Sequence, residues 1–373
     1  MPSDKSGRLT ANTRENFLQR MTPHMEKDNI VSVEDRHKIE RELNATTLQW
    51  GRLLRVGERW NGSGRHWPRI KNALRTKDCL APPLYGLPKD HKAVPPGEEH
   101  LGPALRPVVG ATESPNGALS DILTEVLTHM ADMADTEQVI CLSSEELMAS
   151  FTDLNSRASS MEKPTILSMD VVSMFPNLYI EKVARVAAEE YLRSGLQVEV
   201  EVEELLLYVA IQYQGRRAEL ETLGLEEVVP RRKHPKAKTV LITTDEVFNR
   251  KKDGSTASKF LKAVRDPTEE EVRVLFSLAL EEAIKVCMSS HTYSLGEQCK
   301  VQEEGGPIGL KLSGAIAKMF MVWWCREFKQ AMVVATRALP SFKFHLYKIY
   351  VDDQGLVVEE LPPGARYLEG EVR

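Results

Sequence analysis

The chain has 373 residues, a formal net charge of −5 and 42% hydrophobic residues, which excludes a wholly disordered or collagen-like protein. The N-terminus lacks an apolar signal segment, and charges interrupt the most apolar stretch, 315–331, so neither secretion nor a membrane span is expected. The five cysteines include no C-x-x-C pair, which is typical of reduced thiols in an intracellular protein.

Charge is distributed unevenly along the chain. Residues 50–92 carry ten Lys or Arg against three acidic residues, a balance of +7, whereas residues 196–230 have a balance of −6. A second basic cluster, RRKHPKAK, occupies 231–238. A local basic stripe is the usual footprint of a phosphate backbone. On charge alone, a solvated helix face explains it equally well.

Hydrophobic periodicity predicts the elements of the first half. Residues 11–55 have the spacing of two or three helices, whereas 81–110 contain seven prolines and are predicted to be extended or turn-rich. Apolar residues at i, i+3 and i+4 spacing predict a strong helix over 119–133, with Ser114 or Asn116 as its cap.

The second half alternates β-type and helical patterns. The run 166–172 is rich in β-formers and is predicted to be a buried strand, and 342–351 with 355–358 form a predicted hairpin. Residues 196–268 are the least clear, with a glutamate-rich helix, a basic loop and a short strand near 239–243. Helices are predicted over 181–193, 269–288 and 308–334. This mixture predicts an α+β fold.

Three carboxylates stand out because their neighbours are apolar. Asp170 lies in the predicted strand, and Asp352 and Asp353 lie at the hairpin tip. A carboxylate beside a buried strand is costly unless it is paired or bound to a metal, and adjacent acids repel each other. Carboxylates from two strands suit Mg²⁺, and two such ions could stabilise a phosphoryl displacement. Taken alone, Asp-Asp is more typical of a simple turn.

Five ordered motifs carry a resemblance to a known family. They are LYGLPKDHK (84–92), RPVV (106–109), DVVSMF (170–175), GGPIGLKLSGAIAKMFM (305–321) and YVDD (350–353). Together they resemble the reverse transcriptases of the Penelope-like retroelement family. The resemblance covers about residues 2–358 and is weakest over 196–290.

The resemblance implies the fold of a right-hand polymerase, with fingers and palm built from helices packed on a small antiparallel sheet. The N-terminal helical region and fingers would occupy 1–165. The palm would occupy 166–373, with an insertion at about 196–290, and would be truncated after the catalytic hairpin. A thumb and an endonuclease are therefore not expected in this chain.

The implied activity is RNA-directed DNA synthesis with two Mg²⁺ ions. By matching position, Asp170 and Asp352 would ligate the ions, with Asp353 as the third acid. Positioning and charge neutralisation do most of the work in phosphoryl transfer. The implied partners are an RNA template, a DNA primer and deoxynucleoside triphosphates. No membrane or protein partner is implied, and a nuclear location is compatible with this activity.

Four further residues match nucleotide-binding positions. Lys89 and Arg106 match residues of the fingers that hold the triphosphate, for which a guanidinium suits bidentate contact; a solvated Lys and an ordinary strand Arg are the alternatives. Phe175 matches an aromatic that excludes the ribose 2′-hydroxyl, and core packing is its alternative. Gly309 would let the backbone approach the nascent base pair.

The sequence departs from the family pattern at three places, and two other functions stay open. Ile308 replaces a Gln common in reverse transcriptases, Ser313-Gly314 replaces Ser-Pro, and Lys318 replaces Asn. Another palm-type polymerase, such as one that makes RNA, is disfavoured by Phe175. A truncated, inactive nucleic-acid-binding remnant is disfavoured by the intact acids and favoured by the expected absence of a thumb.

Overall fold

The structure is a computed structural model. It describes residues 13–55, 81–90, 92–110, 114–141, 143–156, 161, 164–171, 174–214, 216, 218, 220, 225–229, 240–243, 267–302, 304–338, 343–350 and 353–359. The predicted basic loop at 231–238 and much of the basic stretch 50–92 lie outside these residues.

Eight α-helices are present in the described residues, and four begin at a capping side chain, one of them Ser143, whose hydroxyl accepts from Glu146 N–H. The Thr13 and Ser32 hydroxyls accept from backbone N–H groups, and Thr268 forms a reciprocal capping box with Glu271. The helices are α1 (Arg14–Met25), α2 (Val33–Leu53), α3 (Gly117–Ala134), α4 (Ser144–Ser156), α5 (Ile180–Ser194), α6 (Val202–Gln212), α7 (Glu269–Ser289) and α8 (Lys311–Ala338).

The largest hydrophobic core lies among α2, α3, α5, α6, α7 and α8. Trp50 of α2 is fully buried, and its ring lies 6.0 Å from that of Tyr208 and 5.7 Å from that of Phe276, between centroids. Full burial of a large apolar side chain stabilises by roughly 1.5–3 kcal/mol. The apolar stripe predicted for 119–133 is the buried face of α3, except that Met133 at its end is exposed.

Ten strands form four small antiparallel sheets in the described residues. The sheet orders are β1-β8-β7, β4-β10-β9, β2-β3 and β5-β6. The strands are β1 (Asn29–Ile30), β2 (Leu84–Pro88), β3 (Leu105–Val109), β4 (Pro164–Asp170), β5 (Leu225–Val229), β6 (Val240–Thr243), β7 (His291–Leu295), β8 (Gln298–Gln302), β9 (Lys343–Tyr350) and β10 (Asp353–Glu359).

One face of the β4-β10-β9 sheet is covered by α8. Tyr347, Ile349 and Leu356 form a second hydrophobic core with Met321 and Cys325 of that helix. Residues 139–141 extend the sheet beyond β9, because Cys141 N–H donates to the Ile349 carbonyl and Ile349 N–H donates to the Val139 carbonyl. The other face is open only in part, because Val357 and Glu359 of β10 are buried and an added Cβ at Gly355 would lie 3.2 Å from the Phe151 ring of α4.

The mixture of helices and small antiparallel sheets confirms the predicted α+β class. Helix α4 and the hairpin β7–β8 were not predicted, because the first has a weak apolar pattern and the second turns at Gly296-Glu297 rather than at a strong turn pair such as Asn-Gly. Helix α8 begins at Lys311, not at 308, because Gly309 has a φ of +115°. The division at 165/166 stays a prediction.

Two further expectations concern the membrane and the cysteines. No helix within the described ranges combines the length and apolarity that a bilayer span requires. The four cysteines among the described residues, Cys141, Cys287, Cys299 and Cys325, have free thiols.

Candidate functional site: a carboxylate pair beside a glycine-rich loop

The strand register brings Asp170 and Asp353 together. In the antiparallel pair β4–β10, Asp353 lies directly opposite Asp170, although 183 positions separate them along the chain. Directly opposed residues project from the same face, with Cβ atoms about 4.5–5.5 Å apart. Both residues are exposed. The two carboxylates therefore lie side by side at one end of the sheet.

The alternation of β4 explains this position. Along the strand, exposed residues alternate with partly buried ones, and Leu167 and Met169 pack on the core beneath the sheet. Asp170 belongs to the opposite, open set. On β10, Asp353 precedes Gln354, which is buried and accepts hydrogen bonds from Trp324 and Tyr347. Gln354 thus holds the start of β10, and Asp353 projects away from the core.

The carboxylate pair has the donor chemistry of a hard-cation site. No Lys or Arg in the described part of the chain forms an ion pair with either carboxylate. Like charges directly opposite each other are destabilising, and oxygen-ligated Mg²⁺ relieves that cost. The described residues contain no group of three or more metal-ligating side chains. Asp352 lies outside them, so its part in metal binding stays a prediction.

Phe175 lies five residues after Asp170, in a short 3-10 turn, Phe175–Asn177. Its side chain is partly buried and packs against both the helical core and the core beneath the sheet. This contact supports a packing role, and the role of Phe175 in sugar selection stays a prediction. The Phe175 carbonyl accepts a 2.7 Å hydrogen bond from Gly306 N–H. The turn is thereby joined to the glycine-rich loop.

The loop from Gly305 to Gly309 also contacts the hairpin β2–β3. Val109 N–H donates to the Ile308 carbonyl at 2.9 Å. Gly309 has a φ of +115°, and an added Cβ would lie 2.0 Å from the Val109 carbonyl oxygen. Any side chain would clash there, and the backbone conformation itself favours glycine. The close approach that the structure records at Gly309 is therefore to strand β3, and its approach to a base pair stays a prediction.

Lys89 and Arg106 lie on the same face of the hairpin. Arg106 pairs with Leu87, and Lys89 N–H donates to the Ala104 carbonyl, so the two cationic residues are diagonal neighbours. Such neighbours are about 7–8 Å apart. Both are partly buried. Partial burial, and secondly the positive charge of Lys89, lower the pKa of His24.

Backbone contacts thus join three of the predicted segments, namely β3 with Arg106, the loop with Gly309 and the turn with Phe175. The carboxylate pair lies at the end of β4, and the chain runs from that strand into the turn within five residues. The role of Lys89 and Arg106 in triphosphate binding stays a prediction.

Sequence reasoning missed the side chains that hold the loop. The Ser313 hydroxyl donates to the Pro307 carbonyl at 2.7 Å, and Ser120 of α3 accepts from Leu312 N–H at 3.1 Å. The second contact joins residues 192 positions apart, so no local pattern of the sequence could have indicated it. Lys318 departs from the family pattern. Its Nζ atom donates to Asp132 Oδ1 at 2.5 Å, and this contact joins α8 to α3.

Comparisons with known proteins give few relatives. No protein-family model matches the chain, and no curated protein matches its sequence. Among solved structures, the chain is similar to telomerase from Candida albicans, determined in complex with a TWJ fragment of telomeric RNA, with a TM-score of 0.47 and 9% identity. The match covers 93% of this chain and 42% of the telomerase chain.

Proposed function

We propose that the chain is the fingers and palm of an RNA-directed DNA polymerase of the Penelope-like reverse-transcriptase family. The observation that carries the proposal is the register of β4 and β10, which sets Asp170 opposite Asp353. These residues come from the two motifs that supply the metal-binding acids in the family that the sequence resembles. A simple turn explains Asp352-Asp353 but does not explain why a third acid lies across the sheet.

The electrostatics of the pair support a catalytic use. Two exposed carboxylates on neighbouring strands, without a cation from the described residues, cost stability. The pair therefore does not stabilise the fold, and its electrostatic cost is removed when the two acids bind a cation. The fit of oxygen donors to Mg²⁺ makes this the metal of the proposal.

The roles of the residues follow from their chemistry. Asp170, Asp353 and the neighbouring Asp352 would hold two Mg²⁺ ions. When bound, these ions would favour deprotonation of the primer 3′-hydroxyl and neutralise charge on the triphosphate. Lys89 and Arg106, on one face of the hairpin, would bind the phosphates of the incoming deoxynucleotide.

The loop would support nucleotide selection through packing. Gly309 fixes the loop against Val109, and Gly306 fixes it to the Phe175 carbonyl. Phe175 would then be held rigidly beside the sugar of the incoming nucleotide, where its ring excludes a 2′-hydroxyl. An RNA template and a DNA primer would complete the substrate.

Primer extension tests the proposal. The full chain is incubated with a DNA primer annealed to an RNA template, deoxynucleoside triphosphates and Mg²⁺. We expect extension by the wild type and a loss on the order of 10²–10³-fold in Asp353→Asn, the usual effect of removing one charge-stabilising group. Glu189→Gln, an equal charge change at an exposed position of α5, is the control and should extend like the wild type.

The outcomes separate the alternatives. Extension that survives both Asp170→Asn and Asp353→Asn would contradict the metal assignment. A wild-type chain that binds primer–template without extending it would favour the nucleic-acid-binding remnant. If the wild type used ribonucleotides as readily as deoxynucleotides, an RNA-making palm polymerase would replace our proposal.

A further inference from the structure

A cavity of about 220 Å³ lies beside the candidate site. Its walls come from the end of α1, the inner face of the hairpin β2–β3, the strands β7 and β8, and the glycine-rich loop. Val109, Gly306 and Ile308 line it, and the same residues or their neighbours join the loop to β3 and to the turn at Phe175. A ligand in the cavity would therefore contact the junction that positions the candidate site.

The size and charge of the cavity restrict the ligand. Pockets for drug-sized ligands are about 300–1,000 Å³, so this one holds roughly a single ring system and not a whole nucleotide. The described lining carries two carboxylates, Asp28 and Glu304, one ammonium group, Lys27, and His24, whose pKa is lowered by burial and by Lys89. Such a lining repels phosphate. A small group without negative charge therefore suits the cavity.

The lining chemistry suits a planar heteroaromatic ring. Leu84, Val109 and Ile308 supply apolar wall, and the Tyr293 ring supplies an aromatic surface. The Tyr293 hydroxyl donates to Asp28 at 2.6 Å, which fixes that ring. Gln302 also lines the cavity; its amide nitrogen donates to the Glu304 carbonyl at 2.9 Å, and its amide oxygen can accept from a ligand. Apolar faces with polar groups at the edge are what a nucleobase requires.

We propose that this cavity binds one unpaired nucleobase of a nucleic-acid strand. The inference rests on the proposed function, which brings a strand to the junction of hairpin, loop and turn. The sugar stays outside because the cavity of about 220 Å³ holds little more than one ring system, and the phosphates stay outside because the lining disfavours their negative charge. A base inserted here would contact Val109 and Ile308, so its binding would depend on the position of the strand at this junction.

Strand binding by the full chain tests this inference. A short single-stranded oligoadenylate is compared, at one salt concentration, with an abasic strand of equal length that keeps every phosphate. Stacking and burial of one base are worth about 1–3 kcal/mol, so we expect the wild type to prefer the oligoadenylate by roughly 10-fold. Leu84→Trp fills the cavity and should remove most of this preference without changing affinity for the abasic strand.

Two more variants keep the test decisive. Tyr85→Trp is the matched control, because Tyr85 adjoins Leu84, is 40% exposed and lies on the opposite face of the hairpin. It should keep the full preference. Gln302→Ala removes an edge group at a partly exposed position and should lower the preference several-fold even if Leu84→Trp disturbs folding.

The result that overturns the inference is a base preference that Leu84→Trp and Gln302→Ala leave intact, or no base preference in the wild type. Saturable binding of free adenosine that the oligoadenylate does not displace would assign the cavity to a free nucleoside instead and would also overturn it. Failure here with normal primer extension leaves the proposed function standing. No primer extension by the wild type, together with a base preference that depends on the cavity, would overturn the proposed function and leave the cavity inference standing.

Discussion

Two carboxylate sites in this molecule have opposite environments. Glu190 of α5 is 1% exposed, and both of its oxygens accept hydrogen bonds from Arg326 of α8, at 2.7 and 2.6 Å. This contact raises the pKa of Arg326. Asp170 and Asp353 are exposed and face each other with no cationic partner among the described residues.

The difference separates a structural ion pair from the carboxylates that we propose as metal ligands. A bidentate arginine neutralises Glu190, and the pair joins two helices of the main core. The aspartate pair does not hold β4 and β10 together, because two like charges directly opposite each other weaken the pairing of these strands. Burial with a partner therefore identifies Glu190 as a structural acid, and exposure beside a like charge is what supports the proposed metal site at Asp170 and Asp353.

The largest expected effect is at Glu190. Glu190→Ala removes the bidentate partner of Arg326 and leaves only the longer, 3.6 Å contact with Glu327 among the described ion pairs, and we expect a loss of about 3 kcal/mol in the free energy of unfolding. Chemical denaturation measures it. Glu189→Ala, at the exposed neighbouring position, is the control and should change stability by less than about 0.5 kcal/mol. Equal effects at the two positions would mean that the ion pair is not structural.

The buried imidazole of His291 is a third environment for a titratable group, because it is held in its neutral form. His291 is fully buried beside Asn116, and burial lowers its pKa from 6.5 to about 4. Between these pH values the unfolded chain binds a proton that the folded chain excludes, so stability falls as pH falls. From about pH 8 to about pH 5 the loss is about 2 kcal/mol. Denaturation at both pH values should show this loss in the wild type and not in His291→Gln.

Magnesium should stabilise the open pair. A cation that binds only the folded chain adds about 1.4 kcal/mol when its concentration is ten times the Kd. Thermal unfolding with MgCl₂, against NaCl of equal ionic strength, measures the effect. The shift should vanish in Asp353→Asn. A shift of the same size in that variant would place the ion elsewhere.

The smallest effect is the repulsion itself. Without metal, Asp353→Asn should raise the free energy of unfolding by about 0.5 kcal/mol or less, because an exposed like-charge pair is screened by water and salt. Adding Asp170→Asn should give little more, since one neutral partner already removes the repulsion. A stability loss in Asp353→Asn would show that the carboxylate has a structural contact.

Strong periodic patterns were predictable, and contacts between distant segments were not. The stripe of α3, the strand before Asp170 and the hairpin β9–β10 follow from local spacing of apolar residues. The prediction that this strand is buried was wrong, because every second residue of β4 is exposed, including Ile166 at 67%. Asn116 was a candidate cap for α3, yet its side chain donates to the Cys287 carbonyl at 3.0 Å and bonds His291 instead. Its partners lie more than 170 positions away, beyond any local pattern.

In the candidate site, likewise, the residues could be predicted from the sequence and their contacts with distant segments could not. The order of the motifs and the chemistry of their residues were enough to select Asp170, Asp353, Phe175 and Gly309 as candidates. The clash that requires glycine at 309 could not be foreseen, because the nearest atom is the carbonyl oxygen of Val109 on a separate strand. Likewise the cavity near Tyr293 is made by segments from across the chain.

Runs of β-forming residues, a property of sequence, determined that 164–170 and 353–359 are strands. Which acids meet was decided only by the tertiary structure, because the register of an antiparallel pair depends on how both strands pack on α8. A slip of one residue would set Asp170 against Gln354. Burial, likewise, made Glu190 a structural ion pair and left Asp170 and Asp353 open to solvent.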